Sequence, residues 1–133
     1  MEGARLSAIP LFADLSPSEL ESLAAVASEL AIPEGAMPAE EGDFGHAFFA
    51  IEEGEADVVR GDETIARLGR GDVFGEIALL SSGRRTASVV ARTPMRLIVL
   101  FKTDVWRLER SNPAVAEALR ATVRERLDQP SSA

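Results

Sequence analysis

Apolar residues Leu20, Leu23, Ala24, Ala27 and Leu30 fall on one face at helical spacing, which predicts an amphipathic helix ending near Glu29. Its start is marked by Ser16-Pro17-Ser18-Glu19, a capping box with Ser16 as N-cap, Pro17 at the first helical position and Glu19 reaching back. Leu15 and Leu20 stand where a hydrophobic staple closes such a helix. Pro33-Glu34-Gly35 then turns the chain. From there to about Phe101 the pattern changes to short apolar runs punctuated by glycine, with eight of the ten glycines at 42, 45, 54, 61, 69, 71, 75 and 83. The runs AFFAI, ADVV, TIARL, ASVVA and RLIVL are rich in β-branched and aromatic residues and predict short antiparallel strands, eight or so in number. Within VVRGDETIARL the tip of a hairpin falls at Gly61-Asp62, and alternation puts Val58, Ala66 and Leu68 on one face.

Helix signals return after Phe101. Thr103 is the expected cap of a short helix through Arg110 that buries Val105 and Leu108, with Trp106 packed in the core beside them. Asn112-Pro113 restarts a helix whose Val115, Ala116, Leu119, Val123 and Leu127 form one stripe, and Pro130 ends it. The predicted fold is mainly β with flanking helices: an antiparallel β-roll, a double-stranded jelly-roll-like barrel, with an N-terminal helix and two C-terminal helices. One domain is expected over 1–133, with a helical segment at 6–30, the roll at 31–101 and the last two helices within 103–128.

Composition narrows the function classes. With no cysteine there is neither a disulfide framework nor a thiolate metal site, which suits a reducing compartment. No stretch reads as a signal peptide, and LIVLF (97–101) is too short to span a bilayer, so a soluble, cytoplasmic protein without a membrane segment is expected. A net charge of -8 argues against direct DNA binding, which needs a basic face. The charge is uneven: residues 1–63 hold 15 acids and 2 arginines, and residues 64–133 hold 7 acids and 12 basic residues. His46 is the sole histidine, which leaves no metal-ligand set and no Ser/His/Asp arrangement, so neither an enzyme nor a metal or other cofactor is expected. The carboxylates of EEGD (40–43) and EEGE (52–55) read as solvated turns.

One stretch of the second half carries chemistry: FGEIALLSSGRRTAS, Phe74 to Ser88. Gly75 permits close backbone approach, and Glu76–Leu80 can form one helical turn whose free amides face an anion. The loop Ser81-Ser82-Gly83 returns the chain so that Arg85 stands near those amides, a pairing of donors that favours phosphate. Adjacent residues point apart, so Arg85 is expected in the site and Arg84 in solvent. Glu76 repels phosphate but accepts hydrogen bonds from hydroxyls of the same ligand. Phosphate plus hydroxyl on one small molecule means a sugar phosphate or a nucleotide.

The stretch resembles the phosphate-binding cassette of cyclic-nucleotide-binding domains, here 74–87, and is most similar to the version in cyclic-nucleotide-gated and hyperpolarisation-activated channels. The resemblance extends through LFADLSPSELESLA, EEGDFGHAFFAIEEGEADVV and GRGDVFGE, in order along the chain. It implies that Arg85 pairs with the cyclic phosphate, that backbone amides of Ile77, Ala78 and Thr86 complete the cradle with Gly75 allowing approach, and that Glu76 binds the ribose 2′-hydroxyl. It further implies that Val58, Ala66 and Leu68 face the purine, with Arg126 and Leu127 on a lid helix. The Thr86 hydroxyl stands where relatives that accept cGMP reach the guanine 2-amino group. The expected function is a regulatory sensor for a 3′,5′-cyclic nucleotide, cAMP before cGMP, whose binding moves the C-terminal helices toward an unknown effector; the oligomeric state stays open, a homodimer included. The rival is a degenerate roll that binds no nucleotide and serves as a protein-interaction scaffold.

Overall fold

The structure, a computed structural model, describes residues 1–75 and 84–127, with side chains through Arg124. A short helix α1 (Gly3–Ser7) and a 3-10 turn (Pro10–Phe12) precede helix α2 (Pro17–Val26). Seven strands follow among the described residues: β1 (Ser28–Ile32), β2 (Ala47–Glu53), β3 (Ala56–Arg60), β4 (Glu63–Leu68), β5 (Val73–Phe74), β6 (Ser88–Ala91) and β7 (Met95–Phe101). Helices α3 (Lys102–Ser111) and α4 (Pro113–Leu127) close the chain.

The strands form two antiparallel sheets, in the orders β1-β7-β2-β5 and β4-β3-β6. They face each other as a roll rather than closing into one barrel. The larger sheet is covered on both faces, which is why β2 and β7 read as continuous apolar runs. Phe48, Ala50, Ile98 and Leu100 point to the helices and share a core with Phe12, Leu23, Val105 and Leu119. Ala47, Phe49, Ile51, Leu97 and Val99 point the other way and meet Val58, Leu68 and Val89 of the smaller sheet. Each fully buried Phe or Leu of these layers contributes about 1.5–3 kcal/mol.

Local signals explain most element ends. Ser16 Oγ accepts from Glu19 N at 3.2 Å and Glu19 Oε1 accepts from Ser16 N at 2.8 Å, the predicted box, with Leu15 and Leu20 both buried. The β3–β4 hairpin turns at Gly61-Asp62 with Gly61 at φ 61°, the positive φ that a two-residue turn opening on glycine requires. Val58 lies opposite Ala66, and Leu68 lies opposite Ala56.

Four expectations are corrected. Helix α2 stops at Val26, short of Glu29, and Leu30 lies in β1, where it pairs with Leu97 and is 41% exposed. Helix α3 starts at Lys102, so Thr103 is inside it; Asp104 Oδ2 accepts from Phe101 N at 3.3 Å in its place. Trp106 is not core: it is 50% exposed, with Lys102 Nζ 5.8 Å from its ring centroid. Glu52, expected in a solvated turn, receives a bidentate bond from Arg5, which also pairs with Glu29 and so ties α1 to β1 and β2. Hydrogen bonds to Glu52 and Glu29 hold the Arg5 guanidinium above its ordinary value, and the same contact with Arg5 holds the Glu29 carboxyl below its own.

Candidate functional site

The site is built where β5 ends and the chain returns at Arg84. Strand β5 pairs with β2, setting Phe74 opposite Phe49, with the two rings stacked at 4.7 Å. The chain leaves β5 through Gly75 at φ 79°. A Cβ at Gly75 would lie 2.6 Å from Arg85 Nη1 and 2.8 Å from the Ala47 carbonyl oxygen. Glycine is therefore required there twice, by conformation and by space.

Loop residues 39–44 run beside 84–89 and hold them by main-chain bonds. Arg85 N donates to Asp43 O at 2.7 Å and Gly42 N donates to Arg85 O at 2.9 Å. With its backbone held on both sides, the Arg85 side chain turns inward and is half-buried. Its Nη2 donates to Ala47 O at 2.9 Å, and its guanidinium carbon lies 5.8 Å from the Phe49 ring centroid. Burial pulls the Arg85 guanidinium below its ordinary value, and the charge of Asp43 opposes that shift. Among the described residues Arg85 has no carboxylate within ion-pair distance, so its charge is compensated only by a carbonyl, a ring face and the more distant Asp43. A half-buried guanidinium with donors to spare among the described residues can receive an anion, and its fork matches phosphate oxygens.

Arg84 takes the opposite course, as the alternation predicts. It is exposed, donates from Nη1 to Gly42 O at 2.7 Å and lies over the Phe44 ring at 4.4 Å. Thr86 is exposed, and its carbonyl oxygen accepts from Arg60 Nε at 3.2 Å. Val58 and Leu68 are buried and Ala66 partly so, all on the roll's interior face with Phe49 and Phe74. The structure thus gathers Gly75, Arg85, Thr86 and the Val58–Ala66 wall at one end of the roll. Glu76, Ile77 and Ala78 lie outside the described residues. Arg126 and Leu127 fall in the last turn of α4, and their side chains lie outside those described. The described packing of α4, through Val115, Leu119 and Val123, belongs to the helix-side core.

The Ala47 carbonyl, Phe49, the Gly42 amide and the Asp43 carbonyl are the groups that sequence reasoning missed. Only Phe49 carried a signal, since alternation within AFFAI turns it to the same side as Ala47 and Ile51. Among the described residues no cluster of His, Asp and Glu is disposed to hold a metal, and no helix is long and apolar enough to cross a membrane.

Comparison with known proteins agrees with this geometry. Residues 29–112 match the cyclic nucleotide-binding domain family. A cyclic nucleotide-gated potassium channel of Rhizobium etli is 35% identical over 125 residues, covering 94% of this chain and 35% of the channel. A cyclic AMP receptor protein of Thermus thermophilus is 37% identical over 123 residues, covering 89% of this chain and 57% of the relative. The chain thus spans only part of the length of these relatives. Among solved structures, the N-terminal domain of a transcriptional regulator from Streptomyces coelicolor superposes with a TM-score of 0.78 at 32% identity, covering 89% of this chain and 85% of that one. A cyclic nucleotide-binding domain from Methylobacillus flagellatus gives 0.79 at 27% identity, covering 95% and 76%. The chain belongs to the cyclic nucleotide-binding domain family.

Proposed function

We propose that this chain is a regulatory sensor that binds a 3′,5′-cyclic nucleotide, cAMP at least as tightly as cGMP. The observation that carries the reading is Arg85: a half-buried guanidinium with no carboxylate at ion-pair distance among the described residues, seated against the positive-φ Gly75. Arg85 takes the cyclic phosphate, with amides of Ile77, Ala78 and Thr86; Glu76 takes the ribose 2′-hydroxyl. Val58, Ala66 and Leu68 face the purine, and Arg126 and Leu127 close over it.

Binding then biases the C-terminal helices toward a cytoplasmic effector. Ala47, whose carbonyl Arg85 grips, pairs with Phe101, and the next amide, Lys102 N, donates to His46 O at 2.9 Å. The phosphate end of the site and the start of α3 therefore share one strand pair, which supports the coupling. Ligand shifts the helices only by the difference in its affinity for their two arrangements. Titration calorimetry with cAMP and cGMP, on wild type and Arg85→Ala, tests the reading: saturable binding that the substitution removes supports it, and no binding by the wild type favours the scaffold.

A further inference from the structure

Arg60 ends β3 just before the hairpin tip, and its side chain reaches across to the segment that follows the cassette. Nε donates to the Thr86 carbonyl oxygen at 3.2 Å. The same tip is held from a second side. Gly61 N donates to Glu41 Oε1 at 2.8 Å, and Glu41 N donates to Ser88 Oγ at 2.8 Å. Hairpin tip, acidic turn and residues 86–88 thus form a ring of hydrogen bonds around Thr86. Neither the predicted hairpin nor the arginine pair accounts for this ring.

The peptide group is rigid and planar, so fixing the Thr86 carbonyl fixes the whole Thr86–Ala87 peptide. That restricts the backbone of Thr86 and, through the backbone dependence of rotamers, the direction of its hydroxyl. The hairpin that carries Arg60 also carries Val58 and Ala66, which are cross-strand partners on the interior face. One rigid element therefore touches the proposed base wall and the proposed phosphate end together.

We propose that Arg60 is a positioning residue for nucleotide discrimination: its bond to the Thr86 carbonyl aims the Thr86 hydroxyl at the base and locks the β3–β4 hairpin to the end of the cassette. This rests on the reading of Arg85 and Thr86 as the phosphate end of a nucleotide site. Arg60 touches no ligand atom in this scheme and acts through Thr86. One exposed bond of this kind is worth about threefold to tenfold in affinity.

The test is calorimetry with cAMP and cGMP on wild type, Arg60→Ala, Arg60→Lys, Thr86→Ala and the Arg60→Ala/Thr86→Ala double variant, with carbonyl NMR shifts of the ligand-free proteins. Arg60→Ala should weaken cGMP by about threefold to tenfold and cAMP by less, and the extra cGMP loss should vanish in the Thr86→Ala background. Arg60→Lys keeps the charge without the planar Nε donor and should behave like Arg60→Ala. The Thr86 carbonyl resonance should move in Arg60→Ala. Equal weakening of both nucleotides, additive losses in the double variant, full rescue by lysine or an unmoved Thr86 carbonyl would each overturn the inference while leaving the nucleotide site intact. A wild type that binds neither nucleotide would instead sink the parent reading, and this inference with it.

Discussion

Arg85→Ala should separate binding from stability. Among the described residues the Arg85 side chain contributes one bond to the Ala47 carbonyl at 2.9 Å and a contact with Phe49 at 5.8 Å, close to the outer limit of cation–π attraction. Those are worth about 1.5–3 kcal/mol and 0.5 kcal/mol, and the release of a half-buried charge with no carboxylate at ion-pair distance among the described residues offsets most of their sum. The net loss is about 1 kcal/mol, or roughly 4 °C in Tm for a chain of this size. Binding behaves differently, because a phosphate drawn into the site loses its charge partner, at a cost of about 2–5 kcal/mol. That corresponds to about a thirtyfold to several-thousandfold rise in Kd. Arg84→Ala is the matched control, removing an equal charge next door that is exposed and faces Phe44. It should change Kd by less than about threefold, the scale of a surface charge. Calorimetry for Kd and differential scanning for Tm check both. If the two variants bind cAMP equally well, or if Arg85→Ala unfolds the domain, the argument that Arg85 is kept for an anion is refuted.

Gly75→Ala should lower stability by about 1–3 kcal/mol and abolish binding, since its φ is 79° and its Cβ would press on Arg85 Nη1 and Ala47 O; denaturant melts and calorimetry read the two losses. Glu76→Ala should weaken cAMP but leave 2′-deoxy-cAMP nearly unchanged, and additive losses across two proteins and two ligands would place Glu76 away from the 2′-hydroxyl. The Arg5 clamp has a pH signature. Glu29, whose carboxyl is held down by Arg5, stabilises the fold above its unfolded pKa of about 4.3 and loses that contribution as pH falls through its folded value. The stability gap between wild type and Arg5→Ala should therefore be widest near neutrality and narrow in acid; a gap that widens in acid denaturation series would reject the assignment.

What could be read from the chain was what a few consecutive residues decide. Ser16 to Glu19 contain a complete cap, Gly61-Asp62 a complete turn, and the alternation of Arg84 and Arg85 their opposite directions. The misreadings came from partners far along the chain. Ala27 and Leu30 continue the helical spacing by coincidence, and pairing of Ser28–Ile32 with β7 outweighs that local pattern. Arg5 meets Glu52 across 47 residues, and nothing near either one announces the other. Trp106 is expected in the core beside Val105 and Leu108, yet those two fill the buried face of α3 and leave the ring outside. The Ala47 carbonyl that holds Arg85 was invisible for a different reason: a main-chain acceptor has no letter in the sequence.

The most direct test of the central claim is titration of the wild-type protein with cAMP and cGMP side by side, with 5′-AMP as the open-phosphate control. One cAMP per chain, bound at least as tightly as cGMP and far more tightly than 5′-AMP, is the predicted result. No heat and no rise in Tm with either cyclic nucleotide would contradict the sensor reading, and a tenfold preference for cGMP would contradict the choice of base.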